Sequence, residues 1–384
     1  MFTIAVDKIQ WIANYLDMSI DTLAEEIAPK KKDEFKKGEM GKGAIQKLAK
    51  LANQPLAYLL HELPLSDKKV EFPDFRQTVN PIDLSQNFFD TLKDVQKKLD
   101  WYEDFLKEEG YEELSFIGKY QFSRQLSPSK IVEDIKKELQ WSPKYPIATP
   151  DVLLNELIDS VENIRILVFR NSIVKNNTRA SLSVDEFRGF AISNKYAPAI
   201  FINTRDSKSA NLFTLVHELA HLWLGLEGVT NIEYEYLASI KNPNTEVLIE
   251  RFCNKVAAEF LMPAKLFKDN WVKANPSDLE VKNIAKYFGV SELAAAIRAC
   301  ELSLVDKKLV LKIKAITALA IQKKKEKPST GGPKYIYMVP IRNSRRFTNA
   351  VASSAVNQRI SLRYAGQLIN ASPKIVMDIY KGQR

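Results

Sequence analysis

Apolar residues recur at helical spacing along most of the chain and crowd at strand-like density in one short region. In "SIDTLAEEI" (Ser19 to Ile27), a serine suited to cap a helix precedes apolar positions three and four apart, and Pro29 ends the run. "KKKDEFKK" follows, Gly38 turns the chain, and "AIQKLAKLANQPLAYLL" is amphipathic at helical period. Short helices with a tight break between them predict a helix-turn-helix-like unit over residues 1–65. Residues 66–145 read as a connecting arm, "VEFPDFRQTVNPIDLSQ", and then helices. The first, "NFFDTLKDVQKKLDWYEDFLKEEG", is long and charged; a serine opens the next, "SPSKIVEDIKKELQW".

The pattern then changes. "IRILVFR" (Ile164 to Arg170), "FRGFAIS" (Phe187 to Ser193) and "PAIFIN" (Pro198 to Asn203) are short β-rich runs bounded by turn residues. Helical spacing resumes in "FTLVHELAHLWLG" and in "EVLIERFCNKVAAEFLMP", which Pro263 stops, and continues to about residue 303. Residues 146–303 therefore read as one domain of helices around a small sheet. The remaining 304–384 read as a basic helical domain, with "KKKEKPSTGGPK" (Lys323 to Lys334) as a flexible connection. Near its end Ser361 can cap a helix carrying Leu362, Ala365 and Leu368, Asn370-Ala371 breaks it, and Ser372-Pro373 opens another with Ile375, Val376 and Ile379 apolar. The fold class expected is α+β, predominantly α-helical.

Composition narrows the function classes. With 45% hydrophobic and 10% aromatic residues, the 384-residue chain has the makings of packed cores and not of a disordered protein. No apolar run reaches the roughly 18 residues that a membrane span needs. The opening "MFTIAVDKIQWIANYLDMSID" lacks the layout of a signal peptide, and two cysteines, Cys253 and Cys300, are too few for a disulfide framework. A cytoplasmic protein without a membrane partner is the expectation. The net charge of +9 is uneven: Leu304 to the end holds 17 Lys+Arg against 3 Asp+Glu, and the rest holds 39 against 44. Such a basic end suits either solubility or an anionic partner, DNA included.

The chemistry lies in "VHELAHL". Of 3 histidines in the chain, His217 and His221 stand four apart in an apolar segment with Glu218 between them. Four residues make about one helical turn, so both imidazoles can face one ion, while Glu218 borders the same face. A His-Glu-x-x-His helix is the metallopeptidase arrangement, in which the glutamate serves as general base. Three such groups buried without an ion would cost several kcal/mol unless each found a partner. A catalytic zinc needs a third protein ligand and one open position. His61 lies in another predicted domain, so a carboxylate is expected from Glu246, Glu250 or Glu259. Glu250 is the first choice because the 29 residues after His221 leave room for a loop and a returning antiparallel helix, with Asn254 one turn later able to hydrogen-bond a ligand; Glu259 is the fallback. A second donor toward developing charge is expected from Tyr234, Tyr236 or an arginine. An edge strand among residues 187–203 is expected to align a substrate by strand addition.

"RGFAISNKYAPAIFIN", "FTLVHELAHLWL" and "ERFCNKVAAEFLMP", in that order, resemble the ImmA/IrrE-type metallopeptidases over about residues 145–300. The resemblance implies a zincin-like domain whose Zn2+ is held by His217, His221 and Glu250, with Glu218 activating water. It also implies a substrate class: a specific, repressor-like regulatory protein. Upstream, "SIDTLAEEI" through "AYLL", followed by "PDFR", resembles the Xre-type helix-turn-helix units fused to such peptidases. The segment from "GGPKYIYMVP" to "QLINAS" resembles the tail of the same proteins. Two features depart from that pattern. "FKKGE" stands where Trp-Glu is usual, and the stretch that would form the recognition helix, Lys30 to Lys37, is short. Lys30, Lys31, Lys32, Lys36 and Lys37 suit phosphates better than base edges. Transcription regulation in toxin–antitoxin-like operons and a homodimer are further implications. The alternative is a DNA-binding regulator or antitoxin-like partner whose zinc domain is sensory or structural.

Overall fold

The computed structural model describes residues 2–382 apart from 17, 53–55, 61–83, 231–243, 275–276 and 326–333. The described residues are predominantly helical with small sheets, an α+β protein. They divide into two compact units: residues 1–71, 82–96 and 172–186 form one, and 97–171 with 187–384 the other.

In the first unit, β1 (Phe2–Thr3) pairs antiparallel with β2 (Glu39–Met40), and α1 (Val6–Tyr15), α2 (Ile20–Ile27), α3 (Lys32–Lys36), α4 (Lys42–Leu51) and α5 (Leu56–Leu60) complete the N-terminal part. Ser19 caps α2 by accepting the Thr22 N–H at 3.1 Å. Ile9, Ile12, Leu23, Phe35, Ile45 and Leu48 are buried at its centre. Helix α3 has only five residues, and its lysines face acids: Lys32 pairs with Glu25, Lys36 with Asp21, and the preceding Lys31 with Glu34. Exposed pairs of this kind contribute little stability, but they draw three of the five candidate nucleic-acid lysines toward carboxylates.

A hairpin of β4 (Ile173–Val174) and β5 (Asn177–Ser181) belongs to this unit although the sequence groups it with residues 146–303. Its Arg179 pairs with Glu26, and Asn177 Nδ2 donates to the Leu51 carbonyl at 2.9 Å. Polar strand-end residues with partners distant in sequence explain why local pattern reading did not find it. Helix α6 (Gln86–Glu108) contributes residues 86–96 here and 97–108 to the second unit.

The second unit adds α7 (Pro128–Glu138), α8 (Pro150–Asn163) and a four-stranded sheet of β3 (Leu167–Asn171), β6 (Gly189–Ile192), β7 (Ala199–Asn203) and β8 (Gly228–Thr230). Strand order is β3-β7-β6-β8; β3 runs parallel to β7, and β6 lies antiparallel to β7 and β8. Every residue of β6 and β7 is buried, which requires cover on both faces and explains their unbroken apolar runs. The expected edge strand among residues 187–203 is therefore corrected: both strands there are interior, because β8 pairs alongside β6. Backbone pairing with a segment 37 or more residues later carries no local signal in the strand it covers.

Next come α9 (Lys208–Trp223), α10 (Thr245–Leu261), α11 (Ala264–Asp269), α12 (Ser277–Phe288), α13 (Glu292–Glu301) and α14 (Lys307–Lys325). Helix α14 takes in Lys323–Lys325, where the flexible connection was expected to begin; the rest of that segment up to 333 lies outside the described residues. Then follow α15 (Tyr335–Arg342), α16 (Arg345–Val356), α17 (Leu362–Leu368) and α18 (Pro373–Gly382). Ser361 caps α17 through the Tyr364 N–H at 3.1 Å.

These last helices pack into the second unit. Phe347 is fully buried, its ring 5.7 Å from Trp101, 6.0 Å from Tyr102 and 6.2 Å from Phe169. Buried Glu162 accepts the backbone N–H groups of Arg345 at 3.2 Å and Arg346 at 3.3 Å, while the two guanidinium groups reach Asp159 and Tyr102. Burial raises the Glu162 carboxyl against these lowering hydrogen bonds. Part of the C-terminal positive surplus thus faces acids within the same unit. Among the described residues, no helix is long and apolar enough to cross a membrane.

Phe347→Ala should cost about 3–5 kcal/mol, the usual range for emptying a buried phenylalanine site. Urea unfolding followed by tryptophan fluorescence measures it, and a loss below about 1 kcal/mol would show that the aromatic cluster does not anchor α16.

Candidate metal centre

Helix α9 starts where Ser207 Oγ accepts the Ala210 N–H at 3.2 Å. It ends at Gly225, whose φ of +67° lets Leu226 N–H return to the His221 carbonyl at 3.0 Å. From Asn211 to Trp223 all but Phe213 are buried, so most of the helix lies inside the protein. It packs against β6 and β7 and against α7, α8 and α10. A histidine pair there must find partners inside the protein.

Helix α10 supplies them. Asn244 caps its start by accepting the Val247 N–H at 2.9 Å, and Pro263 follows its end. Glu250 Oε2 lies 3.2 Å from His217 Nε2, Glu250 Oε1 lies 3.1 Å from His221 Nε2, and the two Nε2 atoms are 3.0 Å apart. His217, His221 and Glu250 are 2%, 1% and 0% exposed. Burial acts to raise the Glu250 carboxyl, but the two imidazoles hold it down at about 2. Burial likewise acts to lower the His217 imidazole, and Glu250 overrides it, so the ring stands above its ordinary value.

The donor set fits a divalent ion. His217 Nδ1 lies 3.0 Å from Asn254 Oδ1, an acceptor, so Nδ1 must carry the hydrogen and Nε2 presents its lone pair toward His221 and Glu250. Neither Glu250 oxygen makes a hydrogen bond of normal geometry, close though the imidazoles are. Lone pairs and a desolvated carboxylate gathered this way repel unless a cation lies among them. Ligand atoms about 2.0–2.1 Å from a tetrahedral ion stand roughly 3.3 Å apart, close to the spacings here.

Glu218 is fully buried on the same helix. Strand β6 passes beside it at Gly189. A Cβ there would lie 3.2 Å from Glu218 Oε1, 2.9 Å from the Phe201 carbonyl and 2.6 Å from Thr214 Cγ2. Only glycine lets the strand approach this closely; its place inside an apolar strand was the available sequence signal.

Of the other carboxylates considered, Glu246 is half-buried at the start of α10 and outside the cluster. Glu259 pairs with Arg298 and accepts the Ala264 N–H at 3.2 Å. Cys253 is buried, and burial followed by Glu250 and Glu218 pushes its thiol well up, leaving it a packing residue. His61, Tyr234 and Tyr236 lie outside the described residues. Lys30, Lys31, Lys32, Lys36 and Lys37 belong to the first unit. Sequence reading missed a cleft of about 250 Å³ that opens on His217 and Asn254 and is walled by Arg188, Phe213, Ile297 and Arg298. Its residues come from four separate helices and a strand end, so no motif announces it.

Residues 161–299 match the Peptidase M78 family model, the IrrE N-terminal-like domain. The radiation response metalloprotease IrrE of Deinococcus deserti is 32% identical over 104 residues, 27% of this chain and 36% of the relative. The chain thus spans about a third of the length of the curated relative it matches. The matched segment holds α9, Glu250 and Asn254 and supports an ImmA/IrrE-type metallopeptidase domain, a class that implies a metal ion.

Glu250→Gln should abolish tight binding of a divalent ion, and Asn254→Ala should weaken it by about 10–100-fold. Competition for added zinc against a chromogenic chelator reads both. Wild-type affinity in Glu250→Gln would remove this carboxylate from the ligand set.

Proposed function

We propose that the protein is a zinc-dependent endopeptidase that hydrolyses one specific, repressor-like regulatory protein. The reading is carried by the convergence of His217, His221 and Glu250 beside the buried Glu218 on the helix that holds both histidines. Two imidazoles and a carboxylate suit zinc among the common divalent ions. When bound, zinc supplies Lewis acidity that polarises a peptide carbonyl and acidifies water. Glu218 takes the proton as water adds to the carbonyl carbon and passes it to the leaving nitrogen. Asn254 holds the His217 ring in the tautomer whose Nε2 faces the centre. The apolar wall of α9 keeps bulk water away, which strengthens each of these charge interactions.

Two features favour hydrolysis over a purely structural ion. A structural zinc has four protein ligands, whereas among the described residues the cluster comprises three. The cleft reaching His217 and Asn254 offers a route for a peptide to the same place. The protein-cleaving role is supported by the match to the radiation response metalloprotease IrrE, and the N-terminal helical unit is assigned to partner recognition. Its five-residue α3 with acid-paired lysines speaks for a protein contact in preference to base readout.

Glu218→Gln preserves side-chain size and should keep the ion while slowing cleavage by about 10²–10⁴-fold. Mass spectrometry of partners retained by this variant from its native cells should name an uncut protein that the wild type cleaves. Cleavage at the wild-type rate would take the general-base role away from Glu218.

A further inference from the structure

The cleft of about 250 Å³ beside His217 has a composition that specifies what enters it. Its apolar walls come from Phe213 on α9, from Ala258 and Met262 at the end of α10, and from Leu293, Ala294 and Ile297 on α13. Met262 and Ala258 are buried and form fixed floor, while Phe213, Leu293, Ala294 and Ile297 are only half-buried where they line the cleft. Positions 293, 294 and 297 fall on one face of α13, so that helix turns an apolar stripe toward the cleft.

The arginines at the walls are matched. Arg188 donates to Asp206 Oδ2 at 2.7 Å. Arg298 pairs with Glu259 and with Glu301 and donates from Nε to the Met262 carbonyl at 3.1 Å. Lys314 is a third cation at the wall, and the two arginines already engage three carboxylates, Asp206, Glu259 and Glu301. A charged group entering the cleft meets no surplus of opposite sign and gives up its water; an apolar group loses nothing. The volume is below the roughly 300–1,000 Å³ of pockets that take whole small ligands, and it suits one bulky side chain. Glu301 and Lys314 lie beyond residues 161–299, so this wall is built partly by chain outside the matched domain.

We propose that this cleft is the side-chain subsite that selects a bulky apolar residue, such as leucine, methionine or phenylalanine, flanking the scissile bond. The assignment rests on the hydrolase reading above, because the cleft shares His217 and Asn254 with the metal centre. A peptide whose carbonyl is held at the centre has its adjacent side chain within reach of this cleft.

The test uses the full-length protein loaded with Co2+, whose visible spectrum reports ligation without any substrate. Acetohydroxamate, 3-phenylpropionohydroxamate and the anionic monohydroxamate of succinate are titrated in parallel. The phenylpropionyl compound should bind at least about tenfold tighter than acetohydroxamate, as burial of an aromatic ring predicts, and the succinyl compound should gain nothing. Ala294→Trp, which fills the cleft, should erase that gain while leaving the cobalt spectrum and acetohydroxamate affinity unchanged. Leu293→Asn, a milder change, should reduce it several-fold. Equal affinities for the phenyl and acetyl compounds, or a gain that survives Ala294→Trp, would overturn the subsite and leave the hydrolase standing. Failure to hold Co2+, or a spectrum that acetohydroxamate leaves unchanged, would overturn the open metal centre and the subsite with it.

Discussion

A carboxylate without access to water, facing two imidazoles at 3.1–3.2 Å, is the constraint around which the second unit is arranged. An isolated buried charge is costly, and such a group survives inside a protein only when something of opposite sign stands beside it. The two imidazoles take part of that role: they hold the Glu250 carboxyl low, and Glu250 holds the His217 ring high. A divalent ion satisfies all three at once. The same concentration of buried negative charge that makes the site unfavourable when empty makes it selective for cations.

That constraint propagates outward through geometry. Helix α9 is buried over most of its length, lying against the β6–β7 part of the sheet and against three other helices. The strand that covers Glu218 can do so only through Gly189, because a methyl group there would press on Thr214, on a carbonyl and on the glutamate together. Asn254 orients His217 from the helix that carries Glu250, so two roles arise from one turn of α10. Arg298 binds Glu259 and the carbonyl that ends α10, which commits the last carboxylate of that helix elsewhere.

The positive charge of the C-terminal region also has a structural side. Arg345 and Arg346 lie over Asp159, Glu162 and Tyr102, and Phe347 fills the space among three aromatic rings. Residues 345–347 therefore tie the last helices to α6, α8 and β3 by both charge and packing, and the matched peptidase segment folds together with chain that follows it.

Much of this was legible without coordinates. Helical period, caps at Ser19 and Ser361, and the His217-Glu218-His221 spacing depend on residues within one or two turns of each other, where backbone geometry alone dictates which side chains share a face. The choice of Glu250 over Glu246 or Glu259 was a matter of spacing in the sequence and became one of reach only when α9 and α10 packed together. The interior position of β6, the transfer of the β4–β5 hairpin to the N-terminal unit, the need for glycine at 189 and the existence of the cleft were decided by tertiary contact alone. Each depends on atoms from segments tens to hundreds of residues apart, and local propensity holds no information about which distant surface a segment will meet.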